Sequence, residues 1–137
     1  HMTYHEFLES DDIRLINTVK AIDKNLRQGY LVQRYKVKDD FGVSKSAFTI
    51  CSFWLVEALH YIGEEEKARE LFNQISKKSN HLGLFSEDID IATKKMTGNF
   101  PQAYTHIALI NTAILLSEWS SKRKKITLLV PRRKRLV

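Results

Sequence analysis

The stretch from Ala47 to Ile62 constrains the fold more than any other part of the sequence. It carries Phe48, Ile50, Cys51, Phe53, Trp54, Leu55, Val56, Ala58 and Leu59, and it reads as a helix opened by Ser44 or Ser46. That helix is apolar almost all round, and a helix without a polar face is surrounded by other protein. The chain has 137 residues and 16.0 kDa, enough for one small domain. So little sequence covers such a helix only with difficulty.

The flanking segments predict three more helices. Asp11 to Leu26 opens on Ser10 and two aspartates, which suit a helix N-terminus, and shows Ile13, Ile16, Val19, Ile22 and Leu26 at helical spacing. Gly29 is its natural stop. Tyr30 to Lys38 alternates like an extended stretch, and Lys38 to Gly42 makes a loop. Gly63 separates the apolar helix from an amphipathic one, about Glu64 to Lys77. Acidic residues gather at its start and lysines at its end, as the helix dipole favours. A long loop, Ser79 to Asn99, holds His81, Glu87, Asp88 and Asp90, and long ordered loops are often functional. Pro101 is placed for a first helical position, and the last, broadly apolar helix runs to about Trp119. The expected class is all-α, with about four main helices and one long acidic loop. Such a pattern fits part of a double ring of helices, with a buried inner ring and an amphipathic outer one, better than a closed four-helix bundle.

Charge separates the body from the C-terminus. Eight of the 22 Lys and Arg residues fall in the last 16 positions, from Lys122 to Arg135, so removing them from the net +6 leaves the body at −2. The body is not expected to bind nucleic acid, and the segment 122–137 reads as a solvated, disordered tail. The 3–121 segment is the expected domain, and residues 1–2 read as the scar of an expression tag. One cysteine, Cys51, forms no intrachain disulfide and reads as a small buried hydrophobe. No apolar run reaches the roughly 18 residues of a membrane span, and the expected location is cytoplasmic. His60 and His81 have no metal-ligand spacing with any partner, and no cofactor is expected.

Three stretches together are similar to a known family. They are Leu31-Val32-Gln33-Arg34-Tyr35 with Asp40-Phe41-Gly42; Ala47 to Leu59 followed by Ala68-Arg69-Glu70-Leu71-Phe72; and Gly83-Leu84-Phe85-Ser86-Glu87-Asp88 followed by Gly98-Asn99-Phe100-Pro101-Gln102-Ala103-Tyr104-Thr105-His106. Their order and spacing resemble the last third of bacterial family 15 glycoside hydrolases, the glucoamylase and trehalase-like family. The likeness covers about Asp11 to Trp119. It implies part of an (α/α)6 toroid and hydrolysis of α-glucosidic bonds with inversion, by an acid and a base roughly 6.5–9.5 Å apart.

The resemblance makes Glu87 the general base and Arg34 an arginine that holds the sugar at its non-reducing end. Tyr35, Tyr104 and His106 become substrate-binding residues. Trp54 and Trp119 could stack on sugars, although tryptophans on apolar helices are usually core residues. Asp88 stands where the family often has Glu or Gln, Ile89 where an aromatic is common, and Lys45 in a segment that often carries Gly and Glu. The family's general acid lies upstream of the covered region, so the chain is expected to supply the base without the acid. The implied partners are an α-glucoside or trehalose-like sugar, and either the upstream part of the same enzyme or a second copy. Two other readings stay open: a non-catalytic helical sugar binder or scaffold, and a helical-repeat peptide-binding module. The second lacks a repeated copy at a suitable period.

Overall fold

The structure, a computed structural model, describes residues 8–117 apart from 39 and 41. The expected tag scar, the basic tail and Trp119 lie outside the described residues. Four helices are present: α1 (Ile13–Leu26), α2 (Thr49–Tyr61), α3 (Glu65–Ser76) and α4 (Ala103–Leu116). Five short strands accompany them: β1 (Arg27–Gln28), β2 (Leu31–Val32), β3 (Ser46–Phe48), β4 (Asp88–Asp90) and β5 (Met96–Thr97). The expected four main helices are therefore present, accompanied by two small antiparallel sheets, β1-β2 and β3-β4-β5. The strands arise where the connecting segments run against buried helices. At β2 and at the centres of β3 and β4, where Leu31, Val32, Ala47 and Ile89 are buried, the backbone N–H and C=O groups pair with one another.

Helix α2 is the centre of the packing. Ile50, Phe53, Leu55, Val56 and Leu59 are all buried, and α3 and α4 both lie against it. Its own polar residues face inward too. Ser52 is buried, and its Oγ accepts the N–H of Val32 at 2.9 Å, which ties the β1-β2 hairpin to the helix. The helix begins at Thr49, later than a serine cap at position 44 or 46 would place it. Ser46 is a strand residue, opposite Asp90 in β4. Gly63 adopts φ +87° in the turn to α3, and the Glu64 N–H closes that turn on the Leu59 carbonyl at 2.9 Å. A left-handed conformation there is open to glycine at little cost.

Helix α1 begins as expected, with the Asp12 carboxylate accepting the Arg14 N–H at 2.8 Å as N-cap. Its inward face differs from the isoleucine stripe. Leu15 and Val19 are buried, whereas Ile13 and Ile22 are exposed. The isoleucine spacing drifts off the line that runs through Leu15, Val19 and Leu26, and the helix turns that line toward α2. Helix α3 buries Ala68, Leu71 and Ile75 on one side, as its amphipathic reading implies.

One ion-pair cluster joins α1 to α3. Asp23 accepts from Arg27, the first residue past the end of α1, and from Lys67 Nζ across the gap at 2.6 Å. Burial alone would raise the Asp23 carboxyl, but these hydrogen bonds and charges outweigh it and hold it below its ordinary value of 3.8. A depressed folded-state pKa stabilises the fold above the ordinary pKa, and that gain is lost as the pH falls through the folded value. Asp23→Asn is expected to cost about 1 kcal/mol near pH 7, with Lys67 half exposed and solvent screening part of the pair. The gap between wild type and variant should shrink toward pH 3 in chemical denaturation curves.

Candidate functional site

The long acidic loop is ordered by three backbone attachments around Glu87. Its N–H donates to the Asn99 carbonyl at 2.8 Å, and its own carbonyl accepts the Thr49 N–H at 2.9 Å. The second bond satisfies one of the free N–H groups at the start of α2. The loop is therefore hung on the N-terminus of the most buried helix. One residue earlier, the Ser86 carbonyl accepts the hydroxyl of buried Thr105 on α4 at 3.2 Å. Phe85 sits below, with its ring edge-on to Phe53 at 5.6 Å. The two residues before Glu87 are thus fixed to α4 and α2.

The Glu87 carboxylate is clasped as well. Oε2 accepts both the Asn99 backbone N–H, at 3.2 Å, and the Asn99 side-chain amide, at 2.9 Å. Two donors on one oxygen set the plane of the carboxylate. Gly98 leaves room for this approach: a Cβ there would lie 3.1 Å from both Glu87 Cβ and Oε2. Its φ of +76° also favours glycine.

Glu87 lines a cleft of about 160 Å³. Arg34 and Tyr35 border it after β2, Ser44, Ser46 and Phe48 border it along β3, and Asp88 stands beside Glu87. Burial, with the Glu87 charge adding to it, pushes the Asp88 carboxyl above its ordinary range, and a hydrogen bond from Ser46 opposes the rise. Cys51 on α2 feels both Arg34 and Asp88, but burial dominates and pushes its thiol up to about 11. The thiol is therefore protonated at neutral pH and is not an activated nucleophile.

Of the residues singled out from the sequence, Arg34, Tyr35 and Glu87 come together in this cleft. Tyr104 does not line it; it is 66% exposed and borders a neighbouring cleft with Trp54, between α2 and α4. His106 is committed to backbone at both ring nitrogens. Nδ1 lies 2.7 Å from the Gln102 carbonyl, and Nε2 lies 3.2 Å from the Phe85 N–H. A carbonyl only accepts and an N–H only donates, so the ring is the neutral tautomer with its proton on Nδ1. His106 braces the loop against the start of α4. Helix α4 begins at Ala103 rather than Pro101: the Phe100–Pro101 peptide is cis, and the Gln102 N–H turns back to the Phe85 carbonyl at 3.0 Å.

Asn99, Gly98 and Ser46 were not picked out as site residues, although two of them stand inside the motif that carried the resemblance. Their role depends on strand pairing between distant segments, which local spacing does not reveal. Asp90 is a turn residue. Its Oδ1 accepts the Thr93 N–H and hydroxyl at 2.6 and 2.8 Å, which holds it below its ordinary value. His81 is exposed, and among the described residues no cluster of three His, Cys, Asp or Glu could hold a metal.

Gly98→Ala tests the clasp. It should lower stability by about 1–2 kcal/mol, through its positive φ and the contact with Glu87. Combined with Glu87→Ala, which removes Oε2, the loss should be smaller than the sum of the single losses by about 0.5 kcal/mol or more. Denaturation of the four proteins of the cycle measures it.

The sequence pattern of Glycosyl hydrolases family 15 matches residues 2–114. The chain is 45% identical over 111 residues to a trehalase of Mycolicibacterium smegmatis, a match covering 79% of this chain and 17% of the relative. It is 46% identical over 111 residues to a trehalase of Mycobacterium tuberculosis, covering 79% and 16%. A trehalase of Thermoplasma volcanium is 37% identical over 118 residues, covering 85% and 19%. The chain therefore spans less than a fifth of the length of these curated relatives. No solved structure matches it. With the family pattern running through all four helices and the loop between them, the chain belongs to family 15 of the glycosyl hydrolases.

Proposed function

We propose that this chain supplies the general base and one sugar-binding wall of an inverting α-glucosidase whose substrate is trehalose. The observation that carries the reading is the clasped carboxylate of Glu87 in a cleft shared with Arg34. The relatives bearing the name trehalase favour trehalose over maltose or longer α-glucans.

In this reading Asn99 holds Oε2, and Oε1 takes a proton from the attacking water. Orientation is the main requirement of such a base, because the water must approach the anomeric carbon in line with the departing oxygen. Arg34 offers fixed donors to vicinal hydroxyls of the glucose ring, and Tyr35 and Ser46 add hydroxyl groups at the rim. Asp88 follows Glu87 directly along the chain and reaches the cleft from the same turn of backbone. The general acid has to stand across the sugar from the base, roughly 6.5–9.5 Å away, so Asp88 is not assigned that role. The acid comes from the remaining four-fifths of a full-length protein, whose helices would complete an (α/α)6 toroid around α2 and α4.

The test is trehalose hydrolysis by a full-length family 15 protein that contains this stretch. Inversion gives one β-glucose and one α-glucose per bond cleaved, which proton NMR resolves before mutarotation. Glu87→Gln should lower kcat by roughly 10²–10⁴-fold, and the 137-residue chain alone should release no glucose. Full activity of Glu87→Gln, or a retained anomeric configuration, would overturn the assignment.

A further inference from the structure

The cleft at Glu87 holds a second carboxylate, Asp88, whose place is set by the sheet. Strands β3 and β4 pair with Ala47 opposite Ile89 and Phe48 opposite Asp88. Alternation along each strand divides the side chains between two faces. Ala47 and Ile89 go into the core, both fully buried, whereas Ser46, Phe48 and Asp88 line the cleft. Ser46 is the diagonal neighbour of Asp88 across the strand pair, and its hydroxyl supports the charged carboxylate. The Ser44 hydroxyl fixes Ser46 in turn, by donating to its carbonyl at 3.0 Å. Asp88 thus takes its support from β3, while Glu87 takes its own from Asn99, just past β5.

Arg34 lines the same cleft. Its charge and that of Asp88 both reach the Cys51 thiol on α2, so the two groups stand near the same point of that helix. Among the described residues, however, Arg34 makes no ion pair with Asp88 or Glu87. Opposite charges share a cleft of about 160 Å³ without closing on each other. Between them lies a space with a group that only donates on one side and groups that only accept on the other. A hydroxyl fits such a space, because its oxygen can accept from the guanidinium while its proton goes to a carboxylate. Glu87 is committed elsewhere, with Oε2 held by Asn99 and Oε1 turned to the attacking water in the proposed reaction. Asp88 is the carboxylate left for a ring hydroxyl.

We propose that Asp88 is a sugar-binding, specificity-determining residue: it accepts the proton of one glucose hydroxyl whose oxygen accepts from Arg34. The proposal rests on the reading of this cleft as a glucose site, and it adds the acceptor half of the recognition to the donor half that Arg34 supplies. A hydroxyl bracketed in this way is recognised as an O–H group, beyond its bulk. A site built to bond a substrate hydroxyl rejects the analogue that lacks it far more strongly than an apolar pocket rejects a missing methylene.

The experiment uses the full-length family 15 protein that contains this stretch, with Glu87→Gln so that trehalose binds without being consumed. Calorimetric titration compares Asp88 with Asp88→Ala and Asp88→Glu. The ligands are trehalose and analogues deoxygenated at the same carbon of both rings, one position at a time, so that either ring entering the cleft lacks that hydroxyl. Asp88→Ala should weaken trehalose binding on the order of 10–100-fold, and Asp88→Glu, which keeps an acceptor, should restore most of it. At one position the penalty for deoxygenation should be smaller by about tenfold or more in Asp88→Ala than in the Asp88 protein. A merely structural role does not remove the penalty for one particular hydroxyl. Unchanged trehalose affinity in Asp88→Ala would overturn the proposal, as would a general loss that leaves every deoxygenation penalty as it was. Glucose release by the Glu87→Gln protein is scored separately. It would remove Glu87 from the role of base, and the same comparison, read as KM for the same sugars, would still decide Asp88. Absence of trehalose binding to the Glu87→Gln protein would overturn both readings.

Discussion

The near-complete burial of α2 is the constraint on which the rest of the structure depends. A helix with no wet side needs neighbours all round, and here they are α3, α4, the β1-β2 hairpin and the Glu87 loop. The aromatic contacts follow from it. Phe53 of α2 meets Phe72 of α3 and Phe85 of the loop, and Phe85 in turn meets His106 of α4. Edge-on ring pairs of this kind fix mutual orientation as well as burying area. The loop that bears Glu87 is thereby held to the core from beneath, and from above by the Thr49 N–H. A catalytic group placed on a rigid element keeps its geometry better than one on a free loop, and Glu87 gains that rigidity without being in a helix or strand itself.

How much of this was legible in the sequence depends on the range of the interaction. The apolar run around Phe53 and Trp54 announced a buried helix, and the single stripe of α3 announced an outer one, because both are patterns within a dozen residues. For α1 the expected stripe holds at Val19 and Leu26 but not at Ile13 and Ile22, which are exposed while Leu15 is buried, a choice that tertiary packing made. Strand β2 falls within the stretch read as extended, but β3, β4 and β5 were missed for a different cause. Ser46 pairs with Asp90, and Asp88 with Thr97, so each pairing joins segments whose own sequence shows no alternation long enough to notice. Arg34 and Glu87 were named through family likeness. That they share a cleft is a statement about β3 and β4 lying side by side, which no local spacing contains.

The carboxylates of the chain fall into two sets with opposite consequences for stability. Asp12, held down to about 2 by its hydrogen bonds from Arg14, and Asp23 and Asp90 are all below their ordinary values. Each favours the folded state above its ordinary pKa and loses that contribution in acid. Asp88 and Glu57 are raised, in both cases by burial first. For a raised carboxyl the folded state binds the proton more tightly, so its contribution declines as the pH climbs from the ordinary value through the folded one. The first set sits on helix ends, turns and the α1–α3 joint. The second lines the two clefts. At neutral pH, then, the framework carboxylates stabilise the fold while the cleft carboxylates oppose it. That division is expected where polar groups are held out of water for a ligand or a partner surface rather than for the fold. Asp88 is offset in part by Ser46, and Glu57 in part by Thr112. Neither hydroxyl carries a charge. Under the proposed function, a sugar's hydroxyls in the first cleft would add to what Ser46 alone supplies.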